Sequence, residues 1–323
     1  MESKDFHRRR INNAMIDKFY ITTYGRADKQ ITWNNLPEIW KDRTWLVVQD
    51  REKDLYTSYP RVKVLPKRIK TLSPTRKWLI RKSKKFRFAL FDDDLEFFNT
   101  KAYGEKGTSN WKMEGNDFEK LEKEIDNWFD KGYIHCAMGA VLNQPRGVEY
   151  DDNFRMCMNI FYNGPKVPFS KVRWDRLKCS QDFDCNLQLL RLGYMNRVFT
   201  RYRVGQKTTA APGGYQSYRD IGLHNQCMQE LNDYHSEFVQ LRTKVESGTG
   251  EWKGQEKIAA TIFWKKAYDS SPHRQKEIQE EKKRKEAAIE KKKQEEKERK
   301  EKKKQEERNK TDIFKLSGEA VHW

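Results

Sequence analysis

Arg87-Phe88-Ala89-Leu90-Phe91-Asp92-Asp93-Asp94-Leu95-Glu96-Phe97-Phe98 is the stretch on which the reading of this chain turns. An apolar run of strand character ends in three consecutive carboxylates, and apolar residues resume at once. Adjacent acids repel one another, and no basic residue sits within the triplet to offset them. In an extended backbone, alternate side chains share a side about 7 Å apart. Asp92 and Asp94 therefore converge on one site while Asp93 turns away. A hard divalent cation, Mg²⁺ or Mn²⁺, is the simplest partner for them, because such ions take carboxylate oxygens and keep water or phosphate as further ligands. A solvated acidic turn at a strand end is the alternative. The flanking Phe-Ala-Leu-Phe and Phe-Phe favour a buried setting, where an unpaired carboxylate is costly.

Outward from the triplet, apolar and amphipathic segments alternate. Phe19 to Tyr24, Trp45 to Val48 and Val62 to Leu65 read as strands, rich in β-branched and aromatic residues. Leu36-Pro37-Glu38-Ile39-Trp40 reads as a short helix opening at its proline. Pro74 to Ile80 reads as another, with Ser73 as N-cap and Pro74 at the first position. Asp117 to Trp128 is amphipathic, with Phe118, Leu121, Ile125 and Trp128 on one face. Tyr133 to Met138 and Met156 to Phe161 are apolar segments, and Gln144 to Asn153 between them is a polar loop. Phe183, Leu187 and Leu190 share a helical stripe, which Gly193 ends at the C′ position. Val198 to Tyr202 is a strand, Ile221 to Tyr234 a helix and Ile258 to Trp264 a last strand. Strands alternating with helices predict an α/β fold with a mostly parallel sheet. Ligands of such sheets sit outside the carboxyl ends of the strands, where both Gly25-Arg26 and the acid triplet fall.

The chain has 323 residues and a formal charge of +18, which points to a polyanionic partner, nucleic acid first. Between Arg274 and Lys310 stand 17 Lys or Arg and 11 Glu, a net of 17 − 11 = +6, with almost no apolar residues. That span is expected to be a solvated helix or disordered tail, since the a/d positions of a coiled coil are missing. The expected organisation is an extension over 1–18, one domain over 19–270 and a Lys/Glu-rich tail over 271–323. Cys136, Cys157, Cys179, Cys185 and Cys227 form neither a zinc pattern nor a disulfide framework, so reduced thiols in a cytosolic protein are expected. Met1 to Arg10 lacks the apolar core of a secretory signal, and no apolar run is long enough to span a bilayer.

Arg76, at the start of a helix before the acids, either reaches the anion that a metal would hold or is a surface arginine. Asp182 and Asp184 stand at a helix N-terminus, where acids are favoured structurally. The functional alternative for them is a general base that takes a proton from an acceptor hydroxyl. Gly213-Gly214 either lets backbone approach a ligand or merely turns. Lys265 either meets a diphosphate or begins the basic tail. His135, His224 and His235 do not form a spaced metal cluster.

These residues, taken in order, resemble the TET-associated glycosyltransferases, phage and eukaryotic enzymes of the GT-A type linked to hydroxymethylated pyrimidines in DNA. The resemblance runs from about Tyr20 to Ala267. It rests on Gly25-Arg26-x-Asp28-x-Gln30-x-Thr32, Leu36-Pro37-Glu38-x-Trp40, Thr75-Arg76-x-Trp78 and Asp92-Asp93-Asp94-Leu95-x-Phe97. Asp182-Phe183-Asp184-x-x-Leu187-Gln188-Leu189-Leu190-Arg191-x-Gly193-Tyr194, Gly213-Gly214-Tyr215-Gln216-Ser217-Tyr218-Arg219 and Trp264-Lys265-Lys266-Ala267 complete it. Gln181 stands where the family usually has Glu, and Tyr215-Gln216 where it often has Cys, which leaves Asp182 as the better acceptor-side acid. The resemblance implies a GT-A mixed sheet flanked by helices, with Mn²⁺ or Mg²⁺ on Asp92 and Asp94 bridging the diphosphate of a nucleotide-sugar, a UDP-sugar first. It implies donor contacts from Gly25, Arg26, Asp28, Arg76, Asp93, Gly213, Gly214 and Lys265. Asp182, with Asp184, would serve the hydroxyl of a 5-hydroxymethylpyrimidine, most simply 5-hydroxymethylcytosine, flipped from DNA, in the cytoplasm of a phage-infected host. Two other readings fit the residues alone. One is a metal-dependent nuclease or phosphotransferase, which usually needs a second acid set that is not evident here. The other is a non-catalytic nucleic-acid binder.

Overall fold

The computed structural model describes residues 16–100, 110–141, 148–206, 214, 219–247 and 252–318, with side chains to 306. Residues 1–271 form one compact unit and 272–323 a second.

The first unit is built on a ten-stranded sheet. Its strands are β1 (Lys18–Thr22), β2 (Thr44–Val48), β3 (Val62–Val64), β4 (Arg87–Asp92), β5 (Leu95–Thr100), β6 (Asn110–Lys112), β7 (His135–Ala140), β8 (Tyr150–Asp152), β9 (Asn159–Asn163) and β10 (Arg197–Gln206). The order is β3-β2-β1-β4-β9-β7-β10-β5-β6, with β8 paired to β10. β3, β2, β1 and β4 run parallel, as do β7 and β10, whereas β9, β5 and β8 run the other way. This is the mixed, mostly co-directional sheet flanked by helices that the sequence predicts.

Both faces of the sheet are covered, so its central strands read as continuous apolar runs. Alternation still sorts the side chains. Phe19 and Ile21 of β1 and Ala89 and Phe91 of β4 enter one core. That core is completed by α1 (Ile31–Asn35), α2 (Glu38–Lys41) and α4 (Gly115–Asp130), with α3 (Leu72–Lys82) lying on the opposite face. Tyr20, Phe88 and Leu90 enter that second core, against Leu79 and Ile80 of α3 and Leu189 of α5 (Gln181–Arg191). On α4, Phe118, Leu121, Ile125, Trp128 and Phe129 are buried. Each such side chain contributes about 1.5–3 kcal/mol of transfer free energy. The same face carries one acid. Glu122 accepts from Arg43 Nη1 (2.6 Å), Arg43 Nη2 (2.9 Å), Trp40 Nε1 (2.8 Å) and the Ile16 amide (2.9 Å), so its burial is satisfied.

A third core joins α5 to α6 (Ile221–Tyr234), to a hairpin of β11 (Val239–Val245) and β12 (Glu256–Ile262), and to α7 (Trp264–Asp269). Gly193 has φ +89° and closes α5, its amide donating to Leu190 O and the Tyr194 amide to Leu189 O.

Some local expectations shift. α3 starts at Leu72 with Thr71 as N-cap rather than Ser73. Pro74 falls within the first turn, where amide hydrogens lack intrahelical partners anyway. β8 occupies part of the predicted polar loop, pairing antiparallel with β10 from Tyr150↔Phe199 to Asp152↔Arg197. Trp264 belongs to a helix, not to the last strand. The second unit is α8 (Pro272–Gly318), an exposed helix with ion pairs such as Glu296–Lys300 at 2.8 Å.

Candidate active site

β1 and β4 are parallel neighbours, and their carboxyl ends coincide, Thr22 pairing with Asp92. A cleft of about 810 Å³ opens there, lined by Arg26, Arg76 and the whole acid triplet on one side and by Gln181, Asp182 and Phe183 on another.

The triplet is a tight turn between β4 and β5, which do not pair with each other. Its backbone is held by Thr32, with the Asp92 amide donating to Met158 O (2.9 Å). Thr32 Oγ1 donates to Asp92 O (2.6 Å) and accepts from the Leu95 amide (2.8 Å), while the Thr32 amide donates to Asp93 O (3.1 Å). The three carboxylates then divide. Asp93 is 5% exposed; its Oδ1 accepts from Arg26 Nη1 (2.6 Å) and its Oδ2 from Thr23 Oγ1 (2.7 Å). Gln30 Nε2 donates to Thr23 Oγ1 (2.8 Å) and to Arg26 O (2.7 Å), fixing both partners. Asp92 and Asp94 keep more solvent. Asp92 Oδ1 accepts from Arg76 Nη2 (2.6 Å); Asp94 accepts from Gln206 Nε2 (2.7 Å) and Arg26 Nη1 (3.1 Å).

The electrostatics follow from crowding. Burial pushes the Asp92 carboxyl up to about 7, against the pull of Arg76, with Asp94, Asp93 and Asp182 adding to the rise. Burial also raises Asp93, opposed by Arg26. Burial works against the charge of Arg76 and Arg26, but their carboxylate neighbours win and hold both guanidinium groups above the ordinary value.

The facing wall is the start of α5. Its N-cap, Ser180, has φ +55°, and Met158, also on the cleft, has φ +63°. Left-handed backbone at non-glycine residues costs about 1–3 kcal/mol and gathers where surroundings over-determine it. Asp182, in the first turn, lies near enough to raise both Arg76 and Asp92. Asp184 does not line the cleft. It is fully buried, accepts from Arg176 Nε and from Gln188 Nε2 (3.0 Å), and lies 2.9 Å from His235 Nε2. His235 Nε2 lies 2.9 Å from both Asp184 Oδ1 and Arg176 Nη2, and Arg191 Nη1 approaches its Nδ1 at 3.2 Å.

The other predicted residues scatter. Gly25 is exposed at φ +63°, its amide donating to Glu52, and Asp28 is exposed on the same loop; neither lines the cleft. Gly214, at φ +71°, donates to Tyr24 O (2.7 Å), and a Cβ there would stand 3.0 Å from Arg26 Cζ. Close approach behind Arg26 is what glycine permits. Gly213 lies outside the described residues. Lys265 is exposed on α7, away from the cleft lining.

Several lining groups escape sequence reasoning. Gln206 is 112 residues from Asp94, and neutral amides carry no local signal. Arg155, whose guanidinium stands 4.9 Å from the Phe183 ring, and Lys178 are single cations in unremarkable contexts. Lys244 and Lys257 reach the cleft from the β11–β12 hairpin, of which only the second strand is legible in sequence. Their ammonium groups flank Glu246 at 3.7 and 2.8 Å. His224 lines the cleft as a neutral ring. Burial and Arg219 push it down to about 4, and its Nε2 faces Ile258 O at 3.0 Å.

A family model described as TET-Associated Glycosyltransferase matches residues 18–214. A beta-glucosyl-HMC-alpha-glucosyl-transferase of Enterobacteria phage T6 is 20% identical over 236 residues, covering 70% of this chain and 84% of its own. The protein of the same name from Enterobacteria phage T2 is 21% identical over 208 residues, covering 61% and 74%. The solved structure of S. aureus TarS in complex with UDP-GlcNAc aligns with a TM-score of 0.37 and 12% identity. That alignment covers 67% of this chain and 66% of TarS.

Proposed function

Since this chain belongs to the TET-associated glycosyltransferase family and is a glycosyltransferase, we propose that it moves a sugar from a nucleotide-sugar, a UDP-sugar first, to the hydroxyl of a 5-hydroxymethylpyrimidine in DNA. The observation that carries the reading is the cleft at the ends of β1 and β4, where acids, guanidinium groups and Asp182 meet.

A divalent cation fits this donor set. Asp92 and Asp94 offer only oxygen, which suits Mg²⁺ or Mn²⁺. Asp92 resists ionisation up to about 7 because neighbouring acids and burial disfavour another negative charge, a condition that added positive charge relieves. Among the described residues no three His, Cys, Asp or Glu side chains are grouped to enclose a metal. A cation held by Asp92 and Asp94 therefore needs water and diphosphate for the rest of its shell, as Mg²⁺ usually does. Bound there, it would offset charge on the departing diphosphate.

The chain's own residues do the remainder. Arg26, braced by Asp93 and by Gly214 behind it, keeps positive charge under the donor phosphates. Arg76, braced by Asp92, does so on the other side. Asp182 takes the proton of the acceptor hydroxyl as that oxygen bonds the anomeric carbon and the sugar–phosphate bond breaks. The neutral wall of His224 and the strained turns at Met158 and Ser180 hold the pocket's shape. The acceptor base leaves the DNA stack to reach it.

A second reading concerns the acceptor alone. The two phage relatives are named for transfer to a base that already bears a glucose. The cleft lies in the upper part of the roughly 300–1,000 Å³ range of small-molecule sites, so a glucosylated base is admissible. The test is to incubate unmodified, hydroxymethylated and glucosyl-hydroxymethylated DNA with a panel of nucleotide-sugars and Mn²⁺, and to weigh the released nucleosides. Added sugar mass on the hydroxymethyl base supports the first reading. Mass added only to the glucosylated base supports the second. No mass on either would sink both.

A further inference from the structure

Around the end of β1 away from the cleft lies a lysine cluster the reaction does not use, which Lys63 joins from β3, where its backbone stands level with Thr22 through Val47. Lys18 begins β1, about 13 Å along the strand from the cleft at roughly 3.3 Å per residue. Its ammonium stands 3.7 Å from the centre of the Phe86 ring. Lys63 of β3 lies over Trp45 (5.1 Å) and Trp78 (5.7 Å), and Lys84 over Phe169 (4.3 Å). Lys82 completes the group from the last turn of α3.

Among the described residues no ion pair is made by Lys18, Lys63, Lys82 or Lys84. Of the acids nearby, Asp175 pairs with Lys77 (2.9 Å), whereas Asp17 accepts from the neutral Arg87 amide (2.8 Å) and keeps its charge beside Lys18. Lys63 shows the cost: burial lowers its affinity for a proton, and Lys18 and Lys82 lower it further by repulsion. Like charges gathered over aromatic faces, with no ion pair of their own among the described residues, are a surface short of anions. Lysines there meet phosphates as mobile point charges.

We infer that the face formed by Lys18, Lys63, Lys82 and Lys84 over Trp45, Trp78 and Phe86 is a second DNA-backbone site, which holds duplex outside the nucleotides that enter the cleft. The inference rests on the proposed function only in taking DNA as the acceptor polymer. The site reads no sequence, because ammonium–phosphate contacts carry none. Its role is retention: the enzyme stays on a long duplex while the cleft samples successive bases.

The test uses the full chain with unmodified duplex of about 200 base pairs, without nucleotide-sugar or added metal, so that failure of the transfer reading leaves it intact. Lys63→Glu/Lys82→Glu is compared with Lys120→Glu/Lys123→Glu, an equal charge change on exposed residues of α4. Lys63→Gln/Lys82→Gln guards against misfolding by charge reversal. The expected result is weaker binding by the first and third variants, with the slope of log K against log salt reduced by up to about 2, at roughly 0.9 per lost phosphate contact. The α4 control keeps the wild-type slope, and transfer to a short single-stranded acceptor is unchanged in all three. Wild-type binding and slope in both Lys63/Lys82 variants would overturn the inference. So would an equal loss in the α4 control, which would leave only diffuse attraction by net charge.

Discussion

Two acid groups face each other across the cleft, and they are built alike. In the β4 turn, Asp93 is buried and bound by Arg26 and Thr23, while Asp92 and Asp94 keep solvent contact. At the start of α5, Asp184 is buried and bound by Arg176 and His235, while Asp182 remains on the cleft. Each group spends one carboxylate on structure and presents the rest. The period differs because the backbone does. On the strand-ending turn the middle residue points inward; on the helix Asp184 lies two positions, about 200°, from Asp182. Adjacent acids in sequence therefore have opposite jobs, and mutations should separate them.

The largest separation is expected between Asp182 and Asp184. Asp182→Ala should lower kcat by about 10²–10⁴-fold, the usual worth of a general base, with an unchanged melting temperature. Asp184→Ala should instead destabilise the fold by about 3–5 kcal/mol, because Arg176 is left without its buried partner. Chemical denaturation and steady-state kinetics on both variants decide the matter. An Asp182→Ala protein that melts early while Asp184→Ala keeps its stability would reverse the assignment.

A smaller effect sharpens the role of Asp92. Its folded value, about 7, lies above the unfolded 3.8, so the folded state binds the extra proton between them. Stability from this group is full below about 4 and is lost as pH rises through about 7. Asp92→Asn should flatten that decline, by an amount on the order of 2 kcal/mol once partial exposure is allowed for. Denaturation in chelator from pH 4.5 to 8 reads it; identical pH profiles for wild type and variant would contradict it. Smallest of all, Gln206→Ala removes one hydrogen bond to Asp94. It should raise the cation concentration needed for half-maximal activity several-fold and leave stability within about 1.5 kcal/mol.

Much of this was legible in the chain. The apolar run of β4 ending in acids, the α4 stripe and the glycine stop of α5 each follow from period and residue type. What was not legible is long-range. Thr32 pins the triplet from a short helix, and a threonine there looks like any cap residue. Asp182 and Asp184 look equivalent until Arg176 and His235 arrive from elsewhere in the chain. The hairpin carrying Lys244 and Lys257 stayed hidden because β11 is largely exposed and charged, lacking the alternation that marks a strand.

The central claim is that Asp92 and Asp94 hold a cation that in turn holds the donor's diphosphate. Isothermal titration of a UDP-sugar into the full chain, with Mn²⁺ and with chelator, for wild type and Asp94→Asn, tests it most directly. The account predicts uptake that depends on Mn²⁺ in the wild type and is lost in Asp94→Asn, a protein that still binds DNA. Equal uptake with and without Mn²⁺, or undiminished uptake by Asp94→Asn, would contradict it.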